Sequence, residues 1–433
     1  MRHTWAAVAA TLFVLALPSC GDSASSPGRS TATTATSSDA LAGVHGTEGR
    51  TAIAIRQIGA PTFPRPGTDG KYHVDYDLVL TNATTLPAAV DRIEVVDAGK
   101  PAKVVATFSG KELVDPACEY GECNRLRALP SAPAKNTVLA PSESRVMLVD
   151  FTVDALADAP KAVLHHLYLQ APVPPVPKPV AVDYLAGPVD TSAGTPRVIG
   201  PPVKGTNWVA LNGCCAPSSW HRSAILPADG GLSNSQRFAI DWKQANAQGA
   251  FVSGDKTKNA SYVDYGSNIY AVADGTVVST LDDQRTNTPG TLPATDPKLA
   301  AKLTFENADG NHIILDIGGG VYAMYAHMIP GSLAVKAGDT VNKGDVIGKL
   351  GNTGNASASH MHFQLMNNPS ILAGDGVPYV IDRFTYRGQV PVKTLLGADA
   401  YFSGRVLPPG LPAGEPRAKQ LPLALAVVDF PAD

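Results

Sequence analysis

Residues 311–327 read Asn311-His312-Ile313-Ile314-Leu315-Asp316-Ile317, then Gly318-Gly319-Gly320, then Val321-Tyr322-Ala323-Met324-Tyr325-Ala326-His327. Two short runs rich in β-branched, aromatic and other apolar residues flank a triple glycine, which is the pattern of a β-hairpin. The same pattern continues outward. Asn268–Ala273, the turn Asp274-Gly275 and Thr276–Thr280 read as a second hairpin, because Asp-Gly supplies the positive φ that tight hairpin turns require. Gly338-Asp339-Thr340-Val341 and Lys343-Gly344-Asp345-Val346-Ile347-Gly348 give further tight turns between short strands. Ser279–Leu299 is polar and carries prolines, so it reads as an inserted loop. Strands never alternate with helix-period segments, which excludes a Rossmann or α/β-barrel enzyme.

The N-terminal half follows the same logic. Tyr72–Leu80 alternates and ends at the turn-prone Thr81-Asn82-Ala83; Asp91–Val96 and Ser144–Val153 are two more strand-like runs. Short strands separated by turn signals predict a β-sandwich of immunoglobulin-like size over 51–170. The five prolines within 171–179 favour polyproline II, and Gly187–Gly205 is loose, so 171–205 reads as a linker. The expected fold is all-β, with the sandwich followed by a second β unit over 206–385 and a proline-rich tail over 386–433.

Composition narrows the function classes. The chain has 433 residues, 44% hydrophobic and 17% charged, so it is long enough for two packed cores. A net charge of −3 speaks against a nucleic-acid binder built on a basic face. Met1–Cys20 starts with Arg2 and His3 and continues in an apolar run, Trp5–Leu17, which is too short for a spanning helix and has the form of a signal peptide. Its end, Leu17-Pro18-Ser19-Cys20, resembles a bacterial lipoprotein box with Cys20 as the lipidation site. That resemblance implies export to the cell envelope, a membrane partner through an acyl anchor, and residues 21–50 as a flexible Ser/Thr/Ala-rich tether. Of the remaining cysteines, Cys118 and Cys123 close a short loop and Cys214 and Cys215 are adjacent. Pairing within each couple and pairing across them both stay open.

Histidines supply the chemistry. Five of the ten, His221, His312, His327, His360 and His362, lie in the C-terminal unit. In Ser359-His360-Met361-His362-Phe363-Gln364-Leu365 the two imidazoles are two apart, so on a strand they share a face. Asp241 ends the apolar run Arg237–Trp242, and His327 ends the strand of the 311–327 hairpin. Three nitrogen or oxygen ligands with an open fourth position suit catalytic zinc. No His-Glu-x-x-His occurs, so a helix-based zincin is excluded. His165-His166 point to opposite faces of a strand and read as ordinary packing or surface residues.

Several of these motifs together resemble the LytM domain of lysostaphin-type zinc endopeptidases: Tyr-Ala-His-Met at 325–328, the run 335–354, His-Met-His-Phe-Gln-Leu at 360–365 and Ala-Asp-Gly-Thr-Val at 273–277. The likeness covers about 207–385. It implies a duplicated-hybrid-motif β-sheet peptidase domain with one Zn²⁺, and a monomeric enzyme that hydrolyses peptide bonds of peptidoglycan. Carried across, His221, Asp241 and His362 are the ligands, His360 is the general base, and His327 positions water or stabilises the transition state. The choice of His362 over His360 as ligand comes from the resemblance alone. The family's short His-xxx-Asp spacing is stretched here by an insert at 226–236, and His312 is the alternative first ligand.

Two rivals share parts of this pattern. A degenerate LytM lipoprotein that activates a separate wall amidase would lack ligands, and all five positions are present. Biotinyl or lipoyl carriers also run through Gly-Asp turns, but neither Lys343 nor Lys349 sits in a carrier motif.

Overall fold

The structure, a computed structural model, describes residues 39–172, 178–399 and 402–432. The expected leader with Cys20, the first part of the expected tether and residues 173–177 of the proline run lie outside the described residues.

Residues from Ile53 to Asp190 form two antiparallel sheets around one core. One sheet runs Ile53–Ile58, Tyr72–Asn82, Ser144–Val153, Leu126–Ala128, Ala132–Pro133; the other runs Pro179–Asp190, Ala162–Pro172, Ala88–Asp97, Lys100–Ser109. Val74, Tyr76, Leu78 and Leu80, spaced by two on the Tyr72–Asn82 strand, bury their side chains between the sheets with Ile93, Val95, Val149 and Leu167. This is the expected sandwich. His165 is buried within it, taking the Tyr76 hydroxyl at 2.8 Å on Nε2 and pairing Nδ1 with the Gly187 carbonyl at 2.8 Å, while His166 faces Asp183 and Tyr168 on the other side.

Two boundaries differ from the sequence reading. The proline-rich stretch is not an interdomain linker from 171 onward. Pro179–Asp190 pairs with Ala162–Pro172 from Pro172↔Pro179 to Ala162↔Asp190, so Pro172 and Pro179 lie on paired strands of the sandwich. Pro179–Asp190 is an edge strand, and an edge tolerates proline because one row of its N–H groups has no partner to bond. Nor is the described end of the tether free: Thr47 N–H donates to the Leu185 carbonyl at 2.8 Å, and its hydroxyl accepts from Leu185 N–H at 3.0 Å. The open edge of that strand supplies both groups.

The C-terminal unit is built on a sheet of ten strands among the described residues. Their order is Thr340–Val341, Gly275–Leu281, His312–Asp316, Tyr322–Tyr325, Met361–Met366, Ile240–Gln244, Gly205–Leu211, Ala426–Phe430, Phe384–Gln389, Glu415–Arg417. The 311–327 hairpin forms as read, with Ile313↔Tyr325 to Asp316↔Tyr322 in register. The second expected hairpin does not. Asn268–Tyr270 pairs with Val346–Lys349 in a separate small sheet, while Gly275–Leu281 joins the large one. Ala271 explains the divergence: it exchanges backbone bonds with Asp345 and Gly344 rather than with the strand beyond the turn.

The expected tail is also structural. Ala426–Phe430 pairs with Gly205–Leu211 on one side and Phe384–Gln389 on the other, so this late strand lies inside the sheet. On one face of the sheet lies a core that includes Trp208, Ile240, Trp242, Tyr325, Met361, Phe363, Leu365, Val428 and Phe430. The residues alternating with these point to the opposite face.

Candidate metal centre

That opposite face carries the histidines. Asp241 lies directly across from His362 in the antiparallel register, flanked by Ile240↔Phe363 and Trp242↔Met361. Facing residues project to one side, so two apolar strands with core residues at 240, 242, 361 and 363 necessarily place Asp241 and His362 together. His327 leaves the end of the Tyr322–Tyr325 strand, which neighbours the His362 strand. His221 comes from the irregular segment between Leu211 and Leu226 and lies on no strand.

One donor atom from each of His221, Asp241 and His362 fits within a group 4.8 Å across, and all three residues are buried. His221 Nε2 is 3.4 Å from Asp241 Oδ2, and His362 Nδ1 is 3.0 Å from Asp241 Oδ1. His360 Nε2 stands 3.5 Å from Asp241 Oδ1. The ring centroids of His327 and His360 are 4.6 Å apart, those of His221 and His362 4.8 Å. Four histidines and one aspartate therefore converge. His312 does not join the three-residue donor group; it is buried, with Nδ1 donating to the Gly310 carbonyl at 2.9 Å.

The far side of each ring sets its tautomer. His221 Nδ1 bonds the Ala239 carbonyl at 3.0 Å, leaving Nε2 toward Asp241. His362 Nε2 bonds Gln364 Oε1 at 2.9 Å, leaving Nδ1 toward Asp241. Carbonyl oxygens only accept, so both outer nitrogens carry a proton, and the inner nitrogens are the atoms that would hold a cation. Asn212 Nδ2 donates to Asp241 Oδ2 at 2.8 Å and orients the carboxylate. Two imidazole nitrogens and one carboxylate, oriented by outer partners, match the donor chemistry of a zinc-like divalent cation.

Electrostatics fit the same picture. Burial disfavours the Asp241 carboxylate, but the charges of His221 and His360 and the hydrogen bonds from His221 and His362 hold it well below the usual range. Burial also disfavours the His362 imidazolium, yet the hydrogen bond and charge of Asp241 raise it to about 9. A proton on His362 thus occupies the place a cation would take. His327 and His360 go the other way: burial pushes both down, His327 further through the charges of His360 and His362.

Two local devices hold His327. Its φ is +63°, in the left-handed region that non-glycine residues rarely visit. The strain is offset by its N–H bonding the Asp309 carbonyl at 3.0 Å and its Nδ1 bonding the Thr353 carbonyl at 2.8 Å. Thr353 can lie there because Gly354 and Gly310 touch backbone to backbone; a Cβ on Gly354 would meet Gly310 N at 2.1 Å. His360 is steadied from below. The fully buried Lys243, two residues after Asp241, donates to the Ser359 carbonyl and lies 3.6 Å from buried Asp264.

Sequence reasoning missed Gln364, Asn212 and Asp309. Gln364 was in view, since 360, 362 and 364 continue one strand face. Asn212 and Asp309 sit in loops where no period marks them. Asp309 is buried with Oδ2 lacking a hydrogen-bond partner; burial raises its pKa against the charges of His362, His312 and His221. Cys118–Cys123 and Cys214–Cys215 are both disulfide-bonded. Asp75, Cys214 and Cys215 also cluster, but Arg65 lies 2.9 Å and 3.2 Å from the two sulfurs and opposes a cation there.

Part of the chain is similar to a known family and to several solved structures. Residues 260–373 match the model of peptidase family M23, a span that holds His312, His327, His360 and His362 but not His221 or Asp241. Among solved structures, the catalytic domain of a point mutant of the prophage-encoded M23 protein EnpA from Enterococcus faecalis aligns at 18% identity over 43% of this chain and 90% of that one, with a TM-score of 0.21. The catalytic domain of lysostaphin from Staphylococcus simulans aligns at 19% over 41% and 86%, TM-score 0.20. The M23 metalloprotease pseudoalterin, of deep-sea origin, aligns at 14% over 51% and 98%, TM-score 0.25. The matched span takes in the Tyr322–Tyr325 strand that leads to His327 and the Met361–Met366 strand that follows His360 and carries His362, so residues 260–373 are the part of this chain similar to peptidase family M23.

Proposed function

We propose that the chain is a zinc-dependent endopeptidase that hydrolyses peptide bonds in the stem or cross-link peptides of peptidoglycan. The observation that carries this reading is the convergence of His221, Asp241 and His362 beside the free faces of His327 and His360. When bound, zinc supplies Lewis acidity toward a scissile carbonyl and a water whose pKa is lowered to about 7. Everything else comes from the chain. His221, Asp241 and His362 are the ligands, with Gln364 and the Ala239 carbonyl fixing their rings. His360 Nδ1 donates to the Ala358 carbonyl at 2.9 Å, so Nε2 of the neutral ring accepts a proton, and the lowered pKa keeps that ring neutral. The imidazolium so formed lies 3.5 Å from Asp241, which stabilises it until the proton passes to the leaving amine. His327 carries the same tautomer, with Nδ1 bonded to Thr353, so its Nε2 is an acceptor that orients water.

The leader ending at Cys20 would carry this activity outside the cytoplasmic membrane, tethered where peptidoglycan lies. The test is metal content together with wall hydrolysis. The purified chain is expected to hold about one zinc, and chelation or His362→Ala to abolish hydrolysis. Hydrolysis by His362→Ala at the unsubstituted rate would sink the mechanism. Zinc bound without hydrolysis of any wall would favour the amidase-activator reading.

A further inference from the structure

Asp241, His362 and His360 are positioned by the sheet, and His327 by the strand it ends. His221 belongs to no strand; beyond its bond to the Ala239 carbonyl and that of Ser219 to the Asn212 carbonyl, its segment is tied to the other domain. Its chain neighbour Arg222 is fully buried and reaches into the sandwich. There Nη1 donates to Asp77, and Nη2 donates to the carbonyls of Tyr76 at 3.0 Å and Val149 at 3.1 Å. Asn234 closes the loop from its far end. Its Nδ2 donates to Asp77 Oδ2 at 3.1 Å and to the Arg222 carbonyl at 3.0 Å.

Between these ties lies the insert that separates His221 from Asp241. It forms a hairpin, Leu226–Ala228 with Gly231–Ser233, turned at Asp229-Gly230 where both φ values are positive. Ile225 and Leu232 seat it on Ile58, Val79, Val146 and Leu148 of the sandwich. The Tyr72–Asn82 strand explains this arrangement. Its even-numbered apolar residues fill the sandwich core, and its odd-numbered face, with Asp75, Asp77 and Val79, is buried against the second unit. An acidic stripe that would otherwise face water is thus committed to Arg65, Arg222 and Arg237.

We propose that the N-terminal sandwich positions the first metal ligand: Asp77, acting through the Arg222 fork and Asn234, holds His221 at the donor set. Among the described residues the sandwich offers no ligand of its own to the centre, yet metal affinity depends on it. The inference rests on the metal reading of His221, Asp241 and His362. Asp77, Arg222 and Asn234 are positioning residues, so the readout is metal affinity rather than turnover.

The experiment measures the Zn²⁺ dissociation constant of the full chain by competition with a chromophoric chelator, and the urea unfolding midpoint in parallel. Arg222→Lys keeps the charge beside Asp77 and loses the fork. Asn234→Ala removes the second tie without changing charge. Arg145→Lys makes the same exchange in a buried fork to Glu143, Asn136 and Val138, which shares no partner with Arg222 or Asn234. Arg222→Lys is expected to weaken zinc by about tenfold or more and Asn234→Ala by less, with Arg145→Lys lowering the midpoint and leaving zinc affinity intact. Zinc affinity within about twofold of the unsubstituted chain in both loop variants would overturn the proposal. If Arg222→Lys yields no folded protein, Asn234→Ala decides alone. Failure of the unsubstituted chain to bind zinc would instead sink the metal reading itself.

Discussion

Phe430→Ala should be among the costliest single truncations in the C-terminal unit, although composition places it in a proline-rich tail. Phe430 is 3% exposed and closes the strand that pairs with Gly205–Leu211. Its ring stands edge-on to Trp242 at 5.1 Å and to Phe384 at 6.4 Å. Removing a buried phenyl ring costs about 3–5 kcal/mol, since the transfer free energy is lost and the cavity only partly collapses. The edge-to-face contacts account for about 0.5–1.5 kcal/mol of such a loss. Against a total of about 5–15 kcal/mol this is a large share. With a urea slope near ~2 kcal/mol/M, the midpoint should fall by about 2 M with the slope unchanged. Near-ultraviolet circular dichroism is the suitable probe, because Trp242 loses its neighbour. Trp242 also adjoins Asp241, so the cavity opens directly behind a proposed metal ligand. A loss under about 1 kcal/mol would refute the reasoning and return residues 386–433 to the status of a loosely attached tail.

Other perturbations give equally definite expectations. His165 is buried in the sandwich, and burial, only partly opposed by its backbone bonds to Gly187 and Ala186, lowers its pKa to about 4. The unfolded chain takes up that proton first as pH falls below about 6.5. Stability from the neutral ring is therefore complete above that pH and is lost toward pH 4, by about 2 kcal/mol between pH 8 and pH 5. Urea unfolding at the two pH values should show a flatter dependence for His165→Gln, and an equal dependence would count against the assignment. Lys243→Met leaves Asp264 buried without its cation and should cost about 3–5 kcal/mol, most of it recovered when Asp264→Leu is added. A single variant that melts with the unsubstituted chain would contradict this.

How much of this was legible in the sequence depends on how local the determining contacts are. The 311–327 hairpin could be read because three glycines and two apolar runs lie side by side. Asp241 and His360–His362 could be read because each sits at a fixed phase of a short apolar strand. Ala426–Phe430 could not, since its partners at Gly205–Leu211 are about half the chain away and five residues carry little period of their own. Pro179–Asp190 was masked by its prolines, which composition assigns to a spacer and an edge strand accommodates. The alternation of Tyr72–Leu80 was visible, but it suggests one wet face. That Asp75 and Asp77 are dry follows only from arginines at 65, 222 and 237, which no local pattern links to them. The insert after His221 shows the same limit: as a stretched spacing it speaks against His221 as a candidate ligand, whereas in the fold it docks the His221 segment on the sandwich.

Mass spectrometry of peptidoglycan after incubation with the zinc-loaded chain tests the central claim most directly, because it reports both whether a bond is cut and which one. The account predicts muropeptides with new peptide termini and intact glycan and amide linkages, absent after chelation and absent with His362→Ala. Unchanged muropeptides from several wall types, or the same new termini from His362→Ala, would contradict it.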